Sequence, residues 1–198
     1  VIHHGVRVLD VDTKNAEKPS NCQIIVLGRL IPAKGIDLLI TSLEKLDSIA
    51  EIEVLIVGNG EAEYALKKQV DELGLSETVK FLGFQNQPEL FLNSADFMVL
   101  PTRGEGFGLV AIEAFAHGVP IVAFDVPAIN EIVTDGETGY LVKPFDVDML
   151  AEKIDELVKN RALREQMGGA ALERVQANFS LDICADKTAD FYRNYSVK

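Results

Sequence analysis

Short apolar runs that stop at glycine or proline alternate along this chain with stretches whose apolar residues recur at helical spacing, and that rhythm constrains the fold more than any other feature. Ile24 to Leu27 ends in Gly28 and is followed by Ile36, Leu39, Ile40, Leu43 and Leu46. Glu53 to Val57 ends in Gly58, and a helical stripe then runs through Ala65, Leu66, Gln69, Val70 and Leu73. Val79 to Leu82 precedes a short helix from Pro88 to Asn93, where proline suits a first helical turn. Phe97 to Leu100 is stopped by Pro101; the apolar helix Leu109 to Ala116 and the strand Pro120 to Phe124 come next. A short helix from Ala128 to Val133 leads to a turn at Asp135 and Gly136, then to the strand Tyr140 to Val142. Strands separated by helices need crossover connections, so the pattern predicts an α/β domain with a doubly wound parallel sheet of about six strands, covered on both faces. Ligands of such sheets bind at the carboxyl ends of the strands.

The chain has 198 residues, and its hydrophobic share of 47% supports one sizeable core. We expect a single domain over residues 1–198. Residues 1–21 form an opening segment and polar surface connection, 22–145 the α/β core, and 146–198 three helices over 147–158, 161–178 and 181–195. The last helix carries Ile183, Ala189, Phe191, Tyr192 and Tyr195, which either cover this domain or pack against something beyond it. The formal net charge of −12 disfavours non-specific nucleic-acid binding, which needs a broad cationic surface, but leaves room for a local phosphate pocket. Cys22 and Cys184 are too few for a disulfide scaffold, which favours a reducing, cytoplasmic setting. No run reaches the length of a membrane span and no signal peptide is visible. Because the chain starts at Val1, an excised or trimmed N-terminus is expected.

Two regions carry candidate chemistry. Around Gly108 the helix Leu109 to Ala116 is almost wholly apolar except for Glu113, a carboxylate that must find donors or take up a proton. A vicinal diol would supply two donors; a backbone group or an internal cation would serve equally. Glu105 sits just before it in Gly104-Glu105-Gly106-Phe107-Gly108, where glycines allow close approach and the free amides of a helix start favour an anion. Glu105 is either a sugar-hydroxyl acceptor or a solvated turn residue. The second region, Gly28-Arg29-Leu30-Ile31-Pro32-Ala33-Lys34-Gly35, follows the first strand. Arg29 and Lys34 are placed there to converge on phosphate oxygens, or are ordinary surface charges. The spacing is not that of the ATPase phosphate loop, and Gly58-Asn59-Gly60 resembles a dinucleotide loop only weakly. His3, His4 and His117 lack metal-ligand spacing, so no metal is expected. His117 reads as a helix end, Ser180 as an N-cap, and no Ser, His and acid set points to hydrolysis.

The ordered set of segments resembles the retaining glycosyltransferases built from two Rossmann-like domains, the GT-B fold, of the group 1 or family 4 type. EGFGLVAIE at Glu105 to Glu113 is similar to that family's E-x7-E motif, and GRLIPAKG to its donor-phosphate loop. VIHHGV, FLGF, SADFMVLPT, AHGVPIVA and NEIVTDGETGYLV extend the likeness over nearly the whole chain. The resemblance implies the donor-binding half of an enzyme that moves a sugar from a nucleoside diphosphate sugar, of UDP or GDP type, to an acceptor hydroxyl with retention. It implies no cofactor and no metal. Arg29 and Lys34 would hold the diphosphate, Glu113 the ribose hydroxyls and Glu105 the transferred sugar. The amides of Phe107, Gly108 and Leu109 would lie near the distal phosphate, and Gly83 and Phe84 near the base. Arg29, Lys34 and Glu105 are thus the expected catalytic residues. An N-terminal Rossmann-like domain would be the missing partner, holding the acceptor, whether saccharide, lipid-linked or small molecule. That domain would also provide any attachment to the inner membrane; the fragment alone is expected to bind nucleotide and be essentially inactive. Two departures stand out: Pro127 and Ala128 where the family commonly has paired glycines, and His4 where asparagine is common. A non-catalytic nucleotide-sugar-binding or regulatory module is the alternative reading, and a nicotinamide-dependent oxidoreductase a weaker one.

Overall fold

The computed structural model describes residues 4–8 and 21–195. Most of the polar connection expected between Asp10 and Asn21, together with His3, lies outside them. Six parallel strands form one sheet: β1 (Cys22–Leu27), β2 (Ile52–Val57), β3 (Val79–Gly83), β4 (Phe97–Leu100), β5 (Ile121–Phe124) and β6 (Gly139–Val142). They are separated by α1 (Ile36–Leu43), α2 (Glu63–Glu72), α3 (Glu89–Ser94), α4 (Leu109–Ala116) and α5 (Ile129–Ile132). Three helices follow: α6 (Val147–Lys159), α7 (Arg161–Asn178) and α8 (Leu181–Tyr195).

The spatial order is β3-β2-β1-β4-β5-β6, with Ile24 beside both Val54 of β2 and Phe97 of β4. Every residue of β1, β4 and β5 is buried, whichever face its side chain takes, so the sheet is covered on both sides as the continuous apolar runs predict. Helix α1 packs against α2 and α6, and α4 against α5 and α7. Phe97, Phe115 and Phe124 are the largest side chains wholly enclosed between these layers. β1 and β4 are neighbours in space but not in sequence. The connections leaving them part in opposite directions, opening a crevice at the carboxyl edge of the sheet.

The predicted strands and helices all form, with ends shifted by local chemistry. Helix α1 stops at Leu43 rather than Leu46, although Leu46 still joins the core from the turn that follows. The three tail helices start at polar caps: Asp146 accepts from the Met149 amide at 3.0 Å and Asn160 from that of Leu163 at 3.1 Å. Ser180 accepts from the Ile183 amide at 3.3 Å, as read for an N-cap. Helix α8 buries none of its described side chains fully and leaves Leu181, Phe191 and Tyr192 exposed. It is tied to the opening segment, where Val6 donates to the Phe179 carbonyl at 2.9 Å and Leu181 donates to that of Val6 at 3.1 Å. Among the described residues no helix is long and apolar enough to cross a membrane.

Candidate functional site

The crevice between β1 and β4 is built largely from backbone. After β1 the chain is pinned to the loop after β2: Gly28 donates to the Val57 carbonyl at 3.0 Å, and Leu30 to that of Asn59 at 2.8 Å. A Cβ on Gly60 would stand 2.3 Å from the Leu30 carbonyl oxygen, so only glycine lets these loops close on each other. Beyond this seam the chain makes one tight turn, Pro32 to Lys34, and enters α1 through Gly35 at φ 65°.

A cavity of ≈ 230 Å³ opens beside the seam, lined by Arg29, Phe84, Gln85, Pro88, Val110 and Glu113 among others. Three of the residues singled out from the sequence therefore share one space: Arg29, Phe84 and Glu113. Arg29 is exposed, and among the described residues its guanidinium has no hydrogen-bond or ion-pair partner. Phe84, 67% exposed, stands at the rim just past Gly83, whose φ of 65° turns the chain out of β3. Glu113 is half-buried. Loss of water pushes its carboxyl above the ordinary value; nearby His117 pulls it back down and Glu89 adds to the rise. His117 ends α4 as expected, with Nδ1 2.8 Å from the Glu113 carbonyl oxygen.

One expectation about α4 needs correcting. An almost wholly apolar sequence with one carboxylate in need of donors or a proton implies a helix against the sheet on most sides, with Glu113 inside. In fact Ala111, Ile112, Ala114 and Phe115 face the core, whereas Leu109 is exposed and Val110 and Glu113 are half-buried. The helical period places positions 109, 110 and 113 on one side, so a mostly apolar helix still turns one stripe toward the crevice.

Lys34 and Glu105 meet each other, with Nζ 2.5 Å from Oε2 and both side chains more than four-fifths buried. They do not line the cavity, but they flank it. The Lys34 stem passes 3.9 Å from where a Gly28 Cβ would be, and the Glu105 stem 3.7 Å from where a Gly108 Cβ would be. Gly108 starts α4 with φ 89°, and no side chain caps that start, so the Leu109 and Val110 amides are left without a capping side chain. Phe107 is wedged edge-on between His4, at a ring distance of 5.1 Å, and Phe179 at 6.5 Å. Leu109, next in line, is exposed.

Three residues that the sequence reading passed over hold this corner together. Arg103 forms a two-point pair with Asp37, Nη1 to Oδ1 at 2.9 Å and Nη2 to Oδ2 at 2.7 Å, and this pairing raises its already high pKa. It also donates to the Pro32 carbonyl. The third, Thr102, is wholly buried, and its hydroxyl, with one proton to give, lies 3.2 and 2.8 Å from the Ala33 and Gly104 carbonyl oxygens. The signal was present as opposite charges at the start of α1 and just after β4, but it is readable only once β1 and β4 are known to be neighbours. Among the described residues no group of three or more His, Cys, Asp or Glu could hold a metal ion.

The chain is similar to known proteins in both sequence and fold. The family described as glycosyl transferases group 1 matches residues 10–174. The chain is 33% identical over 178 residues to the capsular polysaccharide biosynthesis glycosyltransferase CapM of Staphylococcus aureus, covering 88% of this chain and 47% of that protein. It is 35% identical over 190 residues to a GDP-mannose-dependent alpha-(1-6)-phosphatidylinositol monomannoside mannosyltransferase of Mycobacterium tuberculosis, covering 89% of this chain and 48% of that one. Among solved structures, Anabaena HepE in complex with UDP superposes with a TM-score of 0.84 at 25% identity, over 88% of this chain and 49% of that one. The chain thus spans about half the length of the relatives it matches.

Proposed function

The chain belongs to the group 1 glycosyl transferases, and on that premise we propose that it is the donor-binding half of a retaining enzyme that transfers a sugar from a nucleoside diphosphate to an acceptor hydroxyl. The observation that carries this reading is the meeting of Arg29 and Glu113 across one cavity at the switch point, flanked by the Lys34 and Glu105 pair and the open start of α4. An aromatic rim, a cation and a carboxylate suit a base, a diphosphate and a ribose diol respectively. In this reading Phe84 and Gly83 border the base, and Glu113 accepts from the ribose hydroxyls. Arg29, Lys34 and the amides of Phe107, Gly108 and Leu109 hold the diphosphate, and Glu105 orients the sugar. The HepE complex with UDP and the GDP-mannose dependence of the mycobacterial relative support a nucleoside diphosphate sugar as donor.

The sugar's anomeric C–O bond breaks with its electron pair leaving on the diphosphate. The acceptor oxygen bonds to the same face, and its proton passes to the departing phosphate oxygen. Negative charge therefore grows where Arg29, Lys34 and the helix amides stand, and they stabilise the transition state more than the ground state. A facing domain of a longer parent protein is proposed to bind the acceptor and exclude water on closure. We place that parent in the cytoplasm, with any membrane contact made through the facing domain. The nicotinamide alternative fares worse, because it rests on Gly58-Asn59-Gly60 alone, a weak match to the dinucleotide glycine pattern.

Calorimetric titration with UDP, GDP and ADP and their sugar conjugates tests the assignment. One nucleotide should bind in the millimolar range or better, and Arg29→Ala and Glu113→Ala should each weaken it about tenfold. No binding of any at millimolar concentration would remove the donor reading. Robust sugar transfer by the chain alone would instead refute its being half of a site.

A further inference from the structure

The turn that carries Lys34 is held by nothing from the core. Pro32 and Ala33 are exposed, and lysine is by nature a mobile point charge on a flexible stem. Beyond the turn's own backbone bonds, Lys34 to the Ile31 carbonyl and Gly35 to that of Pro32, its grip comes from the loop after β4. The Pro32 carbonyl accepts from the Arg103 guanidinium, and the Ala33 carbonyl from the Arg103 amide at 2.9 Å and the Thr102 hydroxyl at 3.2 Å. The rest of the Arg103 fork closes on Asp37, in the first turn of the helix that follows the turn. Asp37 is itself fixed, since its carbonyl accepts from Thr41 Oγ1 at 2.9 Å and Gln69 Nε2 at 3.0 Å. Gly35 seals the join: a Cβ there would stand 1.9 Å from the Pro101 carbonyl oxygen. Two residues past Arg103, Glu105 receives Lys34.

We propose that Arg103, with Asp37, is a positioning residue for the diphosphate end of the donor: the pair clamps the β1 and β4 loops together and so fixes Lys34 and Glu105 relative to the start of α4. This rests on the donor reading above. Arg103 does not line the cavity, and Arg29 and Glu113 are anchored independently, one through the seam to the β2 loop and the other on α4. The clamp therefore acts on one end of the ligand only. A planar two-point fork is what this task requires, because it fixes orientation as well as distance.

The test compares UDP with uridine, and GDP with guanosine, by titration of the full chain. Arg103→Ala should weaken the diphosphate about tenfold and leave the nucleoside within about twofold. Combined with Lys34→Ala, it should add nothing to the loss caused by Lys34→Ala alone. Equal loss for nucleoside and diphosphate, simple additivity, or no loss would overturn the proposal. A second readout needs no ligand. Arg103→Ala should speed hydrogen exchange at the Lys34 and Gly35 amides about tenfold, with the β1 amides unchanged. Unaltered exchange at those two amides also overturns the clamp. If the wild type binds no nucleotide, the donor reading fails, and this exchange measurement still decides whether the clamp exists.

Discussion

Glu113 stands half-buried at the cavity with its carboxyl pushed upward by lost hydration, and among the described residues no hydrogen bond compensates it. A carboxyl whose folded pKa exceeds its unfolded value favours the native state most below the ordinary carboxylate range, about pH 4. That contribution is lost as pH rises through the raised folded value. Glu113→Gln cannot ionise, so thermal melts should show it more stable than wild type at pH 7, with the difference vanishing near pH 4. The same variant should bind nucleotide less well, since the amide offers the ribose diol a poorer acceptor. A lower melting temperature at pH 7 would mean that the carboxylate is stabilised by contacts absent from the structure. At this scale much was legible in the sequence: a lone carboxylate in an apolar helix and two cations after a strand are local patterns. Arg103 and Asp37 were not, because 66 residues separate them and only the sheet order makes them neighbours.

The elements differ in how much strain they carry. Helix α5 is entered through Ala128 at φ 72° and ψ −40°, a conformation that side chains rarely adopt. Alanine rather than glycine stands at this point, yet the backbone keeps a shape suited to glycine. Ala128→Gly should therefore stabilise the fold by about 1 kcal/mol in urea unfolding, even after the entropy that glycine adds to the unfolded chain. A decrease would show that the loop had adapted to alanine. The seam between the β1 and β2 loops supplies the opposite case. Gly60→Ala drives a Cβ into the Leu30 carbonyl and should cost about 2–4 kcal/mol, whereas Gly104→Ala meets open space and should stay within about 1 kcal/mol of wild type. Element order and type were legible because strands buried on both faces read as unbroken apolar runs. Element ends were less so: Leu46 keeps the helical spacing of α1 yet reaches the core from a turn, and periodicity cannot tell the two apart.

Across the whole molecule stability is unevenly spread. β1, β4 and β5 are enclosed throughout, while α8 buries no described side chain fully and is tied at its start to the opening segment. Native-state hydrogen exchange should find the three central strands slowest and α8 fastest among the helices of more than two turns. Protection of α8 equal to that of β1 would show that it shares the central cooperative unit. The sequence left open whether this helix covers its own domain, because an amphipathic pattern names a face without naming what meets it. A charge of −12 likewise said nothing of where the few useful cations gather. The seam of glycines and carbonyls at the crevice has a consequence for altering such a protein. A socket made of main chain keeps its dimensions when side chains change, whereas the side chains of Phe84 and Gln85 form a collar beside it. Libraries that vary the collar and spare the socket should therefore yield folded proteins with new nucleotide preferences, and those that touch the socket should yield few folded proteins at all.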